Sequence, residues 1–290
     1  ARFEAAGAFH QAALLHQAGR AAVPLPLSDV AMVAAPVLRD FAWTASMGDG
    51  DAESLLMSVC AGDATIGVGL AVDVVQGTSV VDAASTAAGF LLEADDGLHL
   101  VHRDVVEVAP VGSADGSRRL GRVTWTPSVT TLLADPVVAA AAALDRAALG
   151  AAAELCGLAD RMIEMTVAYV AERHQFGVPI GTFQAVQHRL ADALLAVEFA
   201  KPLVWRAAVS MAAGGDDSGD RRSIDVSMAK AAASDAAEAV AAAALQCHGA
   251  IGYTVEYDLH LWMQRSWALA RRAGSARFHR GRVQRWLVGT

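Results

Sequence analysis

Three textures follow one another along this chain. Helical spacing runs to about residue 61, short β-branched segments to about residue 135, and Ala-rich helical sequence from Pro136 onward. Few architectures have that order, so it narrows the fold before any motif is considered. In the first segment Phe3, Ala6, Phe9, Ala13 and His16 recur at helical spacing, with Leu14 and Leu15 widening the stripe. Gly19, Pro24 and Pro26 end that helix, and Ser28-Asp29 is expected to cap the next. In the middle segment Phe90–Ala94 and Leu98–Val101 flank Asp95-Asp96-Gly97, a hairpin signal. Thr65–Leu70, Val72–Val75, Val105–Val108 and Arg122–Trp125 continue the strand pattern.

From Pro136, a residue suited to a first helical turn, one long helix is expected to about Arg173. Gly177 and Pro179 break it, and Thr182 is expected to cap the next helix, 183–213. A loop by composition, Gly214–Asp220, precedes helices near 223–247, 257–273 and 277–288. The expected fold is therefore mainly α with a small β domain. Its parts are an N-terminal helical domain over 1–61, a middle β-barrel or sandwich over 62–135, and a C-terminal four-helix bundle over 136–290. The chain opens on Ala1 rather than Met, so the first of these is expected to be incomplete.

Composition excludes several functions. The 290 residues are 54% hydrophobic with a net charge of −8, which argues against nucleic-acid binding. No window has the layout of a signal peptide. The most apolar run, Pro136–Leu144, is too short to span a bilayer and is followed by Asp145 and Arg146, so no membrane association is expected. Cys60, Cys156 and Cys247 are far apart, with neither metal-ligand nor redox spacing, which fits a reducing cytoplasmic compartment.

Two segments carry chemistry. The first is Glu172-Arg173-His174-Gln175-Phe176-Gly177-Val178-Pro179, continuing to Phe183-Gln184. It is a helix end, a turn and a new helix start, where backbone N–H groups and the Arg173 charge suit a phosphate or pyrophosphate. An ordinary helix corner with a solvated arginine has the same sequence signature. The second is Gln246-Cys247-His248-Gly249-Ala250-Ile251-Gly252-Tyr253, followed by Glu256. Together, at this separation, the two resemble the paired motifs of acyl-CoA dehydrogenases: Arg-x-x-Phe-Gly with a later Phe-Gln, and Gln-x-x-Gly-Gly with a later Gly-aromatic. The resemblance is strong over about 140–285. It is weaker in the β segment, where Asp115-Gly116-Ser117-Arg118 is similar to a family segment.

The resemblance implies FAD as cofactor, shared between subunits. Arg173, Gln175, Phe176, Phe183 and Gln184 would grip the adenine and pyrophosphate of a neighbour's FAD, joined by Gln246, Gly249 and Ala250. Ala250 stands where the family usually has Gly, which is tolerable only without a positive φ. The family's catalytic Glu is expected at one of two places, which fall here on Ala273 and Ala147, with an Arg position falling on Ala148. Catalytic residues are therefore expected to be none, and Glu154 is the spare carboxylate that an unusual base could use. The family's flavin-cradling loop also has only Leu70–Gly77 in its place.

These features resemble the non-catalytic subunit of actinobacterial heteromeric acyl-CoA dehydrogenases acting on sterol side chains or other bulky acyl-CoAs. They imply a partner that supplies the base, an α2β2 hetero-oligomer, and an electron-transfer flavoprotein as acceptor. The alternatives are a self-sufficient dehydrogenase using Glu154, or a structural subunit without flavin. His260, the Arg-rich tail (Arg265 to Arg285) and Trp262, Trp267 and Trp286 are read as surface, core or subunit-contact residues.

Overall fold

A computed structural model describes residues 2–41, 51–75, 78–213 and 219–289. Its helices are α1 (Arg2–Arg20), α2 (Ala35–Phe41), α3 (Asp51–Ala61), α4 (Pro136–Glu172), α5 (Gln184–Ala212), α6 (Gly219–His248), α7 (Leu259–Arg271) and α8 (Ala276–Val288). Its strands are β1 (Ile66–Gly69), β2 (Val74–Val75), β3 (Thr78–Val81), β4 (Gly89–Ala94), β5 (Gly97–His102), β6 (Glu107–Pro110), β7 (Gly121–Thr124), β8 (His174–Gln175) and β9 (Val178–Pro179). The chain divides into two compact units, one of residues 24–150 and one of residues 1–23 with 151–290. Helix α1 thus belongs with the C-terminal helices, and the first turns of α4 belong with the strands.

The 24–150 unit holds two sheets, ordered β1-β4-β5 and β2-β3-β7-β6. The expected hairpin is present: β4 and β5 pair from Gly89↔His102 to Ala94↔Gly97. Gly97 has φ +128°, and a Cβ there would lie 2.5 Å from Pro136, so only glycine fits. His99 is fully buried, with one ring nitrogen 2.8 Å from Asp96 and the other 3.0 Å from Thr131. Val81, Phe90, Leu92, Val101 and Val123 form a shared core. Asp115 accepts from the Ser117 amide at 3.1 Å, and Arg118 donates to Asp82 at 2.9 Å, which ties that turn to the end of β3.

Three local expectations are corrected. Ser28-Asp29 does not cap a helix. Both residues lie inside a π-helical turn, Ser28–Ala34, entered from Leu27 without a side-chain cap, because the chain is already helical when it reaches them. Thr182 does not cap α5 either. Its hydroxyl donates to the Pro179 carbonyl at 2.7 Å, and Phe183 stands at the cap position without a side-chain bond. Gly219 and Asp220, expected in a loop, open α6; Gly214–Ser218 lie outside the described residues.

In the second unit α1 crosses α4 at very short range. A Cβ on Gly157 would lie 1.9 Å from the His16 carbonyl oxygen, and one on Gly19 would lie 2.2 Å from that of Glu154. Asp160 gathers His16 at 2.9 Å and Lys201 at 2.8 Å, joining α1, α4 and α5. Trp262 donates to the Arg20 carbonyl at 3.0 Å, whereas Trp267 and Trp286 stay nearly half exposed. Among the described residues α4 alone is long and apolar enough to cross a bilayer. However, 61% of its most apolar window is buried inside the protein, which marks a core helix.

Candidate functional site

The α4–α5 corner is a hairpin too short for strand periodicity to reveal. His174 pairs with Pro179 and Gln175 with Val178, while Phe176 and Gly177 turn the chain with φ of 54° and 83°. Two consecutive positive φ values define a type I′ turn, and a non-glycine residue takes such a value at a cost of about 1–2 kcal/mol. Phe176 is 93% exposed and touches Phe183 edge-on, with ring centroids 6.2 Å apart. A phenylalanine held in a strained turn and left in solvent contributes nothing to this chain's own core.

Arg173 sits at the hairpin's base. Its amide donates to Tyr169 O at 2.9 Å, its carbonyl accepts from Ile180 N at 2.8 Å, and its side chain is exposed. Gln175, Phe183 and Gln184 are exposed as well. Helix α5 has 29 residues and starts without a side-chain cap, so its first amides remain available to an anion.

The second motif lies at the same end of this unit. Helix α6 ends at His248, and Gly249–Tyr253 form a 3-10 turn. The His248 ring stacks on Tyr169, with centroids 4.3 Å apart and planes at 22°. Gln246, Gly249 and Ala250 are exposed. Gly249 has φ +66°, and Ala250 is not among the residues with positive φ. The substitution of Ala for Gly at that position is therefore free of backbone strain. Glu256 is held below the usual carboxylate range by a hydrogen bond from Thr254. Burial pushes the Cys247 thiol up, against the opposing charge of Arg189 on α5.

The positions where the family's base is expected are built differently. Ala147 is 1% exposed, and Ala148 and Ala273 are fully buried. Ala273, with φ +55°, and Gly274, with φ +95°, make the α7–α8 corner. The His279 Nε2–H donates to the Ala273 carbonyl at 2.9 Å, which leaves Nδ1 to accept from Ser227 at 3.2 Å. Lys230, also fully buried, donates to Ala270 O at 3.0 Å, Gly274 O at 3.2 Å and Ser234 Oγ at 3.0 Å. Burial pushes Lys230 down to about 7 and His279 down to about 3.

Glu154 is nearly buried and lies 3.2 Å from Arg265, which also bonds the Val23 carbonyl. That commits its carboxylate to a structural cation. His260 bonds the Tyr257 carbonyl at 3.0 Å, as a helix-start residue would. In the other unit, β2 and β3 are joined by just two residues, Val75 pairing with Thr78. Those two, Gln76 and Gly77, lie outside the described residues.

Reasoning from sequence passed over Tyr169, Tyr257, Lys230 and His279. Tyr169 lies outside the motifs and Tyr257 only closes the second, while Lys230 and His279 are tied in by bonds to Ala270, Gly274 and Ser227 that lie 40 or more residues away in the chain.

Comparison with known proteins places this arrangement. Residues 137–288 match the family described as acyl-CoA dehydrogenase, C-terminal domain. The chain is 31% identical over 277 residues to the acyl-CoA dehydrogenase IpdE2 of Mycobacterium tuberculosis, covering 91% of this chain and 82% of that protein. It is 37% identical over 187 residues to IpdE2 of Mycolicibacterium smegmatis, covering 64% of this chain and 55% of that one. Its fold is similar to a chain of the Mycobacterium tuberculosis ChsE4-ChsE5 complex, with a TM-score of 0.82 at 23% identity, over 97% of this chain and 80% of that one. The chain belongs to the acyl-CoA dehydrogenase family.

Proposed function

We propose that this chain is an FAD-associated subunit of a heteromeric acyl-CoA dehydrogenase, lending cofactor-gripping residues to a partner that owns the flavin ring and the base. One contrast carries the reading. Arg173, Phe176, Gln184 and Gln246 are gathered and exposed at one end of the helical unit, while Ala147 and Ala273 fill the base positions with buried methyl groups.

The residues at the gripping end fit the adenine and pyrophosphate half of FAD. Arg173 supplies a fixed positive charge, and the uncapped α5 start supplies free amides for a pyrophosphate. Phe176 and Phe183 offer apolar rings to the adenine, and Gln175, Gln184 and Gln246 offer amide donors and acceptors. Gly249 and Ala250 allow backbone to approach closely. When bound, FAD supplies acceptance of the hydride removed from the acyl chain.

In this reading the α-proton is taken by a partner carboxylate, because the positions that would carry one here cannot. The Glu154–Arg265 ion pair weighs against Glu154 as a substitute. The assembly would be an α2β2 heterotetramer acting on an acyl-CoA thioester, with an electron-transfer flavoprotein as acceptor. That the ChsE4-ChsE5 chain belongs to a complex supports the heteromeric form.

The test is co-expression with candidate partner subunits and measurement of flavin retained by the purified complex. The Arg173→Ala complex should assemble but lose most of its bound FAD. Full FAD retention by that complex would remove the proposal.

A further inference from the structure

The structure assigns to His248 the role of a positioning residue that locks the Arg173 hairpin to the Gln246–Ala250 turn. Its Nδ1 lies 2.8 Å from the Ala244 carbonyl, one turn back on α6, so Nδ1 carries the proton and the ring is held in one tautomer. Nε2 is buried and has no hydrogen-bond partner among the described residues. The ring's contribution is therefore made through its faces and not through that edge.

One face stacks on Tyr169 at 4.3 Å, and Tyr257 packs against both rings, at 4.8 Å from His248 and 5.8 Å from Tyr169. Tyr169 is one helical turn before Arg173, and its own carbonyl holds the Arg173 amide. Tyr257 opens the segment into α7, and its hydroxyl lies 3.5 Å from the Met165 carbonyl. Three separate pieces of chain thus meet in one aromatic stack: the end of α4, the end of α6 and the entry to α7. Offset and stacked rings resist sliding, so the stack sets the distance between the two exposed motifs. A cofactor that touches both motifs is recognised only if that distance is right.

The hairpin half of this assignment stands on geometry alone; its consequence for FAD rests on the proposed function. Two readouts separate them. Hydrogen exchange is followed in this chain as His248→Ala and as His248→Phe, which keeps a stacking ring without either nitrogen. FAD affinity is then titrated in the complex with the partner subunit.

His248→Ala should exchange faster over residues 170–183, which hold the Arg173 and Ile180 amides, with α1 and the first turns of α6 unchanged. It should also lose about tenfold in FAD affinity. His248→Phe should restore both to within about twofold. Unchanged exchange over 170–183 in a folded His248→Ala protein overturns the positioning role, and so does a His248→Phe variant as defective as the alanine. Faster exchange with unchanged FAD affinity supports the coupling and overturns the cofactor reading instead.

Discussion

At the α4–α5 corner Arg173, Phe176 and Gln184 face solvent, whereas at the α7–α8 corner Ala273 is sealed beneath Lys230 and His279. Both corners adopt two successive positive φ values, at Phe176-Gly177 and at Ala273-Gly274. They differ in what secures that conformation. The α7–α8 corner is satisfied from within, by donors on α6 and α8. The α4–α5 corner leaves its large side chains without a place in this chain's core. The sealed corner serves this chain's stability, and the open one is free to serve something else.

The largest effect separating the two corners is expected from Lys230→Ala. It removes the donor for Ala270 O, Gly274 O and Ser234 and opens a cavity in a fully buried site. A loss of about 3–5 kcal/mol is expected from denaturant unfolding. Lys230→Met, which keeps the volume, should lose less. A loss below about 1 kcal/mol for the alanine variant would show that the sealed corner is not held from within.

The pH dependence should bear the same mark. His279 has a folded value of about 3 against an ordinary 6.5, and Lys230 about 7 against an ordinary 10.5. In both cases the unfolded chain binds more protons inside that window, so stability rises with pH there. The melting temperature should therefore fall as pH drops from about 6.5 toward 3, and rise as pH goes from about 7 toward 9; above that the buried Cys156 thiol, pushed up to about 12, works the other way, because only the unfolded chain ionises it. Lys230→Met should flatten the alkaline limb and, by removing a positive charge that helps hold His279 down, weaken the acid limb as well. A wild-type alkaline limb that is already flat would mean that Lys230 keeps an ordinary value.

The smallest effect is expected at the open corner. Phe176→Asn creates the Asn-Gly pair that a type I′ turn favours. Stability should change by about 0.5–1 kcal/mol, in the stabilising direction, while FAD capture by the complex weakens. A destabilised variant would mean that Phe176 packs usefully within its own chain.

Much of this was legible in the sequence, for reasons particular residues make plain. The long helices follow from Ala-rich runs with few breakers, and the β4–β5 hairpin follows from Asp95-Asp96-Gly97 between apolar runs. Strand β3 escapes sequence reasoning, because Thr78-Ser79-Val80-Val81 is too short for a clear period and has no turn signal of its own. The β8–β9 hairpin was read as a turn, since two-residue strands have no period and phenylalanine is not a residue that positive φ calls for. The parallel pairing of β1 with β4 is likewise a long-range choice that no local spacing encodes.

The candidate site was legible where it forms motifs. The resemblance to the family's paired motifs assigns Arg173 and Gln246 to one cofactor, but the stack of Tyr169, His248 and Tyr257 that joins them has no signature in the sequence. His248 occupies a spacer position in its motif, and its partners lie on other elements. The Lys230–His279 arrangement was hidden for the same reason, on a helix that otherwise reads as alanine-rich filler.

The central claim is that this chain extends a grip on FAD without owning a catalytic pocket. The most direct measurement is acyl-CoA oxidation and bound FAD for the purified chain alone, set beside the same chain co-purified with its partner. The account predicts no turnover and little FAD for the lone chain, with both appearing in the complex. Stoichiometric FAD and full turnover by the chain alone would contradict it.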